Sequence, residues 1–157
     1  MGRMPADRTD TTPHAEVERE LTRLLRRSRV ALSTYASQVH PDIDLSGYTL
    51  LLAVRDATAE SDLGAVRAAD LAGRLRLHKS TLSRGLAQLE SIGLVERAAD
   101  PSDARARLVR LSTDGARRVE QVRAERRALL SAVLGRWEGA DLQVLADLLG
   151  RLNDDLE

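Results

Sequence analysis

The segment Leu77–Arg97, LHKSTLSRGLAQLESIGLVER, constrains the fold of this chain more than any other. At about 100° per residue, Leu82, Leu86 and Leu89 fall on one side of a helix, and hydroxyl, guanidinium and amide groups fall on the other. Gly93 suits the left-handed conformation that ends many helices, and an apolar pair follows it. The segment therefore predicts a short amphipathic helix that needs a core on one side and leads through a glycine into a strand.

The polar side of this helix carries groups that can hydrogen-bond base edges in the major groove of DNA. These residues are Ser80, Thr81, Arg84, Gln88 and Ser91. Lys79, Ser80 and Thr81 also lie at the predicted N-terminus, where phosphates bind readily. Two alternatives remain open at this point: the hydroxyls cap the helix or are simply solvated, and Arg84 pairs with Glu90 or Asp100.

The neighbouring segments supply what a DNA-reading helix needs. A supporting helix is predicted over Ala68–Leu75, after a brief strand at Val66, so the two short helices form a helix-turn-helix. After the second helix, strands are predicted over Leu94–Ala98 and Arg107–Leu111. The turn-rich loop Ala99–Ala106 between them gives a β-hairpin with a basic tip, a wing.

Long helices are predicted at both ends of the chain. The first runs from His14 to about Val39, and Ser46 is the predicted N-cap of the second. Another begins at Ser112–Gly115, and the last covers Ala140–Leu156. These helices carry more leucines than a core within one chain could bury. We therefore expect the terminal helices to pack against those of a second copy of the chain. The predicted fold class is mainly α with a small β wing.

The division of the chain follows from these elements. It comprises a flexible tail over residues 1–13, a dimerisation helix over 14–40, a winged helix-turn-helix domain over 45–112 and C-terminal dimerisation helices over 113–157.

Charge is distributed unevenly along the chain. The formal net charge is zero, but residues 67–110 hold nine Arg or Lys and five Asp or Glu, and the rest of the chain is correspondingly acidic. A positive middle between acidic ends is typical of a central DNA-binding part.

Several classes of function find no support in the sequence. The absence of cysteine excludes disulfides and thiolate metal sites, and His14, His40 and His78 are too scattered for a metal site. No phosphate-binding loop or catalytic motif is present. No signal peptide or membrane span is evident. We therefore expect a cytoplasmic protein that is not an enzyme, with no cofactor, no metal ion and no membrane partner.

The segment Asp100–Gly115, DPSDARARLVRLSTDG, resembles the wing motif D-P-x-D-x-R-x-x-x-V-x-L-T-x-x-G of the MarR family of bacterial transcription regulators, with Ser112 where Thr is usual. Asp70–Ala72, Ser80–Arg84 and Leu89–Val95 are similar to that family's helix-turn-helix. The resemblance implies a winged-helix homodimer that binds double-stranded DNA at a pseudo-palindromic operator. It also implies a regulator that is usually a repressor and is often released by a small anionic or phenolic effector.

The resemblance also assigns residues. Ser80, Thr81, Arg84 and Gln88 match the recognition-helix face, with Lys79 beside them. Arg105 matches the wing arginine that enters the minor groove, and Asp103 matches the carboxylate that helps to position it. Arg107 is expected to face the DNA backbone or solvent, and the alternative for Arg105 is a solvated charge held by Asp103.

Two further features depart from the family pattern. His78 and Lys79 stand where small N-cap residues are common. Gly85 lies in mid-helix, where glycine costs about 1 kcal/mol relative to alanine.

An effector site can be placed only by the resemblance, between the terminal helices and the DNA-binding part. Tyr35, His40, Tyr48 and Arg55 are the nearest polar or aromatic candidates, and the alternative is that both tyrosines are core residues. The favoured function is a dimeric, sequence-specific transcription regulator. The alternative is a winged-helix dimer that serves as a protein-interaction module without specific DNA binding.

Overall fold

A computed structural model describes residues 12–156. Within that range it contains six α-helices and one small antiparallel sheet, which confirms the predicted fold class. In chain order the elements are α1 Pro13–Val39, α2 Leu45–Ala59, β1 Val66–Arg67, α3 Ala68–Leu75, α4 Lys79–Ser91, β2 Val95–Asp100, β3 Asp103–Leu111, α5 Thr113–Leu134 and α6 Gly139–Asp154. The strands lie in the order β1-β3-β2, so β3 is the central strand.

Helix α1 begins one residue earlier than the sequence predicts. Thr12 is its N-cap, and the Thr12 hydroxyl oxygen accepts a hydrogen bond from the amide of Ala15 at 3.4 Å. Pro13 suits the first helical position because its missing N–H would have no partner there. Most of the predicted tail, residues 1–11, lies outside the described residues.

The predicted N-cap of α2 is wrong by two residues. Asp44 caps this helix, since its carboxylate accepts hydrogen bonds from the Gly47 amide and the Ser46 hydroxyl, both at 2.8 Å. These two donors hold the pKa of Asp44 below its usual value. Both residue types are good caps, but a carboxylate also gains from the positive end of the helix dipole.

The predicted ending of α4 is confirmed. Gly93 has a φ of 75°. Its amide donates to the carbonyl of Glu90 at 3.0 Å, and the amide of Leu94 donates to the carbonyl of Leu89 at 2.9 Å. This paired arrangement satisfies the last carbonyls of the helix and turns the chain directly into β2.

One apolar core joins α2, α3, α4 and the sheet, and it extends to the ends of α1 and α5 nearest to them. Its most deeply buried members are aliphatic apart from one tyrosine: Val39, Tyr48, Leu51, Val54, Leu71, Leu86, Leu89, Leu94, Val95, Val109 and Val119. The leucines predicted to face inward from α4 are among the buried residues. The core therefore fixes which side of α4 faces solvent.

Gly85 has a structural reason that the sequence alone does not reveal. A Cβ atom at this position would lie 2.7 Å from Cδ2 of the buried Leu50, so the glycine leaves room for this leucine side chain where α4 packs against α2. The glycine lowers the helix propensity of α4 and allows this helix to sit against α2.

The junction between the wing and α5 is equally tight. Ser112 caps α5, because its hydroxyl oxygen accepts from the Gly115 amide at 2.9 Å while the hydroxyl donates to the Gly93 carbonyl at 2.5 Å. The Ser112 amide donates to the Leu94 carbonyl at 3.0 Å. Serine thus performs a capping role at the position where the resemblance expects threonine.

Candidate nucleic-acid interface

Helix α4 presents its predicted DNA-binding side to solvent. Lys79, Ser80, Thr81 and Arg84 are all exposed. Among the described residues, no side chain caps the start of this helix, so its first-turn amides have no side-chain partner there. The capping alternative for the two hydroxyls is therefore absent, and the helix N-terminus offers its N–H groups to an anion.

The Arg84 guanidinium has neither of the protein partners considered for it. Glu90 instead pairs with Arg97, and Asp100 pairs with Arg67. Among residues 12–156, no ion pair or side-chain hydrogen bond engages Arg84. Its charge is available to a ligand on the exposed side of α4.

Gln88 has a contact that the sequence did not reveal. Its side-chain amide nitrogen donates to the backbone carbonyl of Asp42 at 3.0 Å. The residue is exposed, but this hydrogen bond ties the C-terminal half of α4 to the connector between α1 and α2. Gln88 and Asp42 are 46 residues apart in the sequence, so this hydrogen bond follows only from the packing of α4 against the connector.

The wing differs from the predicted hairpin. The predicted loop Ala99–Ala106 is wrong, because β2 continues to Asp100 and β3 begins at Asp103. Ala99 pairs with Arg107, and Asp100 pairs directly with Asp103. The register shift between these pairs leaves residues 104–106 as a bulge on β3.

Arg105 occupies the middle of this bulge and is exposed. The carboxylate of Asp103 accepts a hydrogen bond from the Arg105 backbone amide at 2.9 Å. Asp103 therefore positions the backbone of Arg105, and no ion pair holds the Arg105 guanidinium within the described part of the chain. An exposed guanidinium at a narrow tip suits the electronegative minor groove.

The wing and α4 meet across a cleft of about 210 Å³. Lys79 of α4 and Arg107 of β3 both line it, together with Arg97 of β2. The structure thus brings two of the predicted DNA-binding residues together, and it adds Arg97 to the same basic surface. Arg97 could not be assigned from spacing because its position depends on how the hairpin packs against α4.

Asp100 holds the turn of the wing. Its side chain is only 2% exposed, and its carboxylate accepts from the Ser102 hydroxyl at 2.7 Å and the Ser102 amide at 2.8 Å. It also accepts from Nε of Arg67 at 2.7 Å. The Ser102 hydrogen bonds, with that of Arg67, lower the pKa of Asp100 from 3.8 to about 2.

This lowered pKa predicts a pH dependence of stability. A carboxyl whose folded pKa is depressed contributes stability above its unfolded pKa and loses it as the pH falls through its folded pKa. The stability advantage of the wild type over Asp100→Asn should therefore be full above pH 4 and should shrink between pH 3.8 and about 2. Thermal melts of both proteins across this range measure it, and a constant difference would contradict the assignment.

The candidate effector residues do not form one site. Tyr48 is 1% exposed and belongs to the core, where burial raises its pKa. His40 accepts a hydrogen bond from the Asp42 amide at 3.1 Å, and Arg55 pairs with its neighbour Asp56. Only Tyr35 lines a cleft of about 690 Å³ between α1 and α5. The core alternative therefore holds for Tyr48.

The cleft between α1 and α5 combines apolar walls with cations. Its apolar lining comes from Leu24, Val30, Ala31, Leu32, Leu129, Leu130 and Val133. Arg126 lines the same cleft beside Tyr35, and sequence reasoning missed Arg126 because it lies about ninety residues away along the chain. This set of side chains suits an aromatic anion.

Within residues 12–156, no three His, Asp or Glu side chains lie together in a way that could hold a metal ion. No helix in that range is both long enough and apolar enough to cross a membrane.

Comparison with known proteins points to one family. A family model described as MarR family matches residues 61–106. Mb0904 of Mycobacterium bovis, named an HTH-type transcriptional regulator, is 36% identical over 101 residues, which are 62% of this chain and 71% of the relative. YxaD of Bacillus subtilis, named likewise, is 29% identical over 87% of this chain and 90% of the relative. The match to YdgJ of Bacillus subtilis, at 31% identity, covers 55% of this chain and about half (53%) of that relative.

Solved structures share the fold. FabT of Streptococcus pneumoniae, crystallised in complex with DNA, matches with a TM-score of 0.78 at 17% identity, over 91% of this chain and 96% of FabT. PcaV of Streptomyces coelicolor, crystallised with its natural ligand, matches with a TM-score of 0.58 at 23% identity, over 98% of this chain and all of PcaV.

The family match falls on the same part of the molecule as the exposed basic surface. Residues 61–106 include α3, α4 and the wing tip. The chain belongs to the MarR family of DNA-binding, winged helix-turn-helix transcriptional regulators.

Proposed function

We propose that this protein is a homodimeric repressor that reads a pseudo-palindromic operator and is released by a small effector. One observation carries the proposal: among residues 12–156, the exposed Arg84 of α4 has no ion-pair partner and the start of α4 has no side-chain cap, while Lys79 of its first turn lines the basic cleft that leads to the wing. In this arrangement α4 enters the major groove, and Arg105 reaches the minor groove beside it.

The roles of the individual residues follow from their chemistry. Arg84 can donate two hydrogen bonds to guanine O6 and N7, which gives base discrimination. Ser80, Thr81 and Lys79 at the start of α4 suit phosphates, and Arg107 on the cleft wall suits the DNA backbone. Gln88 keeps a weaker place in the set because its amide nitrogen already has a partner.

Dimerisation rests on apolar side chains that one chain leaves exposed. No residue of α6 is buried. The large exposed apolar residues of the terminal helices and their connection are Val17, Leu24, Leu25, Val30, Leu129, Leu130, Val133, Trp137, Val144, Leu148, Leu149 and Leu156. A surface of this size in a water-soluble regulator is typical of an interface. A second copy of the same helices is the partner proposed here.

The dimer has its own prediction. Leu148→Asp places a charge on an exposed apolar surface of α6, outside the lining of the cleft between α1 and α5, and should convert the dimer to a monomer, with loss of operator binding. Leu63→Asp, at a leucine 74% exposed in the loop after α2, is the matched control and should remain dimeric. Multi-angle light scattering at micromolar concentration gives the masses. A wild-type protein with the mass of one chain would refute the dimer.

The cleft between α1 and α5 is the proposed effector site. Its apolar walls with Tyr35 and Arg126 fit a small aromatic acid, and PcaV, which shares the fold, was crystallised with its natural ligand. Such a ligand releases DNA only if it binds one spacing of the two α4 helices better than the other.

Selection of bound sequences from a random DNA library tests the proposed function. Because each protomer supplies one α4, the enriched motif should contain two inverted half-sites whose centres lie about one helical turn of DNA apart, or a multiple of it. A motif with a single half-site would contradict the dimeric mode of reading. Absence of any enriched motif would instead favour a protein-interaction module.

A further inference from the structure

We propose that Arg67 is a positioning residue of the wing: through Asp100 and Ser102 it fixes where Arg105 enters DNA. This inference rests on the proposed function, because it concerns how the wing meets the minor groove. Arg67 lies outside the recognition helix and the wing hairpin, at the N-cap position of α3, where its side chain makes no capping hydrogen bond.

One guanidinium holds both sides of the wing turn. Nε of Arg67 donates to the Asp100 carboxylate at 2.7 Å, and Nη2 donates to the Ser102 hydroxyl oxygen at 3.1 Å. Arg67 itself sits on β1 and pairs with Leu108 of the central strand. The turn at the tip is thereby fastened to the base of the sheet.

The fastened turn leaves Arg105 little freedom. Asp103 pairs with the buried Asp100, and Arg107 pairs with Ala99, so the bulge of residues 104–106 is anchored at both ends. The Asp103 carboxylate also holds the Arg105 amide. Ordering a residue costs backbone conformational entropy. A bulge that is ordered before DNA arrives avoids that cost on binding.

A direct contact between Arg67 and a phosphate is the rival explanation. The side chain is 47% exposed, so removing it would change DNA affinity on either account. Asp100→Asn separates the two accounts because it keeps the charge of Arg67 and removes the carboxylate that holds it. A role in positioning predicts weaker binding, whereas a direct phosphate contact predicts unchanged or tighter binding.

The test is a double-mutant cycle on the selected operator. Asp100→Asn should weaken binding on the order of tenfold in the wild-type background and less than twofold in the Arg105→Ala background. Glu96→Gln is the matched control. Glu96 forms an ion pair with Arg110 at 2.8 Å across the same hairpin, and this pair lies far from the wing tip. This substitution should change affinity less than twofold. Equal losses in both backgrounds would overturn the proposal.

A second measurement needs no DNA. Relative to the amide of the buried Leu89, which reports global unfolding in each protein, hydrogen exchange of the Arg105 amide should accelerate about tenfold or more in Asp100→Asn and stay unchanged in Glu96→Gln. If the wild type binds no operator, the proposed function fails, and the exchange rates still decide whether Arg67 and Asp100 order the bulge. An unchanged Arg105 amide would overturn the positioning role.

Discussion

Arg84→Ala is expected to weaken operator binding about ten- to a hundredfold and to leave binding to unrelated DNA nearly unchanged. The reason is that a bidentate arginine–guanine contact discriminates between bases by about 1–3 kcal/mol. The exposed Arg84 guanidinium has no partner among the described residues that would compete with a base. Fluorescence anisotropy on the selected operator and on a scrambled duplex measures both affinities.

Arg105→Ala provides the contrast within the same experiment. Because the minor groove offers a degenerate pattern, loss of this arginine should weaken operator and scrambled DNA by similar factors of about ten, with a smaller salt dependence. Arg117→Ala removes an exposed arginine that pairs with Asp114 on α5, and it is the matched control for lost charge. If Arg84→Ala lowered both affinities equally, its assigned role in reading bases would be wrong.

Gly115→Ala is expected to destabilise the fold by about 3 kcal/mol, near the upper end of the range for overpacking. The added Cβ would lie 2.1 Å from the carbonyl oxygen of Leu94 and 2.9 Å from its carbonyl carbon. These are backbone atoms, so no rotamer change relieves the contact. The Ser112 cap fixes the same junction through the Leu94 carbonyl and the Gly93 carbonyl.

Thermal unfolding checks this prediction, with an expected loss of roughly 10 °C for a chain of this size. Gly73→Ala is the matched control because its Cβ would meet nothing within 4 Å on α3. That substitution should raise stability slightly, since alanine restricts the unfolded chain. A Gly115→Ala protein as stable as the control would show that the junction can open without cost.

Sequence patterns predicted the elements whose causes are local. The leucine spacing of α4, the left-handed glycine after it and the helix that ends at Val39 each depend on neighbouring residues, and the structure confirms them. The wing motif, which is a run of neighbouring residues, likewise identifies the family from the sequence alone.

The misplaced N-cap of α2 is a choice between two neighbouring residues, whereas the other errors came where distant segments decide the outcome. An eight-residue loop was predicted at the wing tip, but the structure has a short turn there. This turn depends on Asp100, which becomes buried and pairs with Arg67 only when β1 lies beside the hairpin. Gly85 is unfavourable for the helix propensity of α4, and only the position of the Leu50 side chain beside it gives a reason for the glycine. Contacts of this kind join segments that are distant in the chain, and local sequence patterns do not predict which of them will pack together.

The most direct test of the central claim is anisotropy of the purified protein on the DNA upstream of its own gene. It is measured at two salt concentrations with unrelated DNA as competitor. The account predicts tight binding that survives the competitor and weakens steeply with salt, because Lys79, Arg105 and Arg107 displace counterions from the phosphates. Absence of binding at both salt concentrations, on this DNA and on the library, would contradict it.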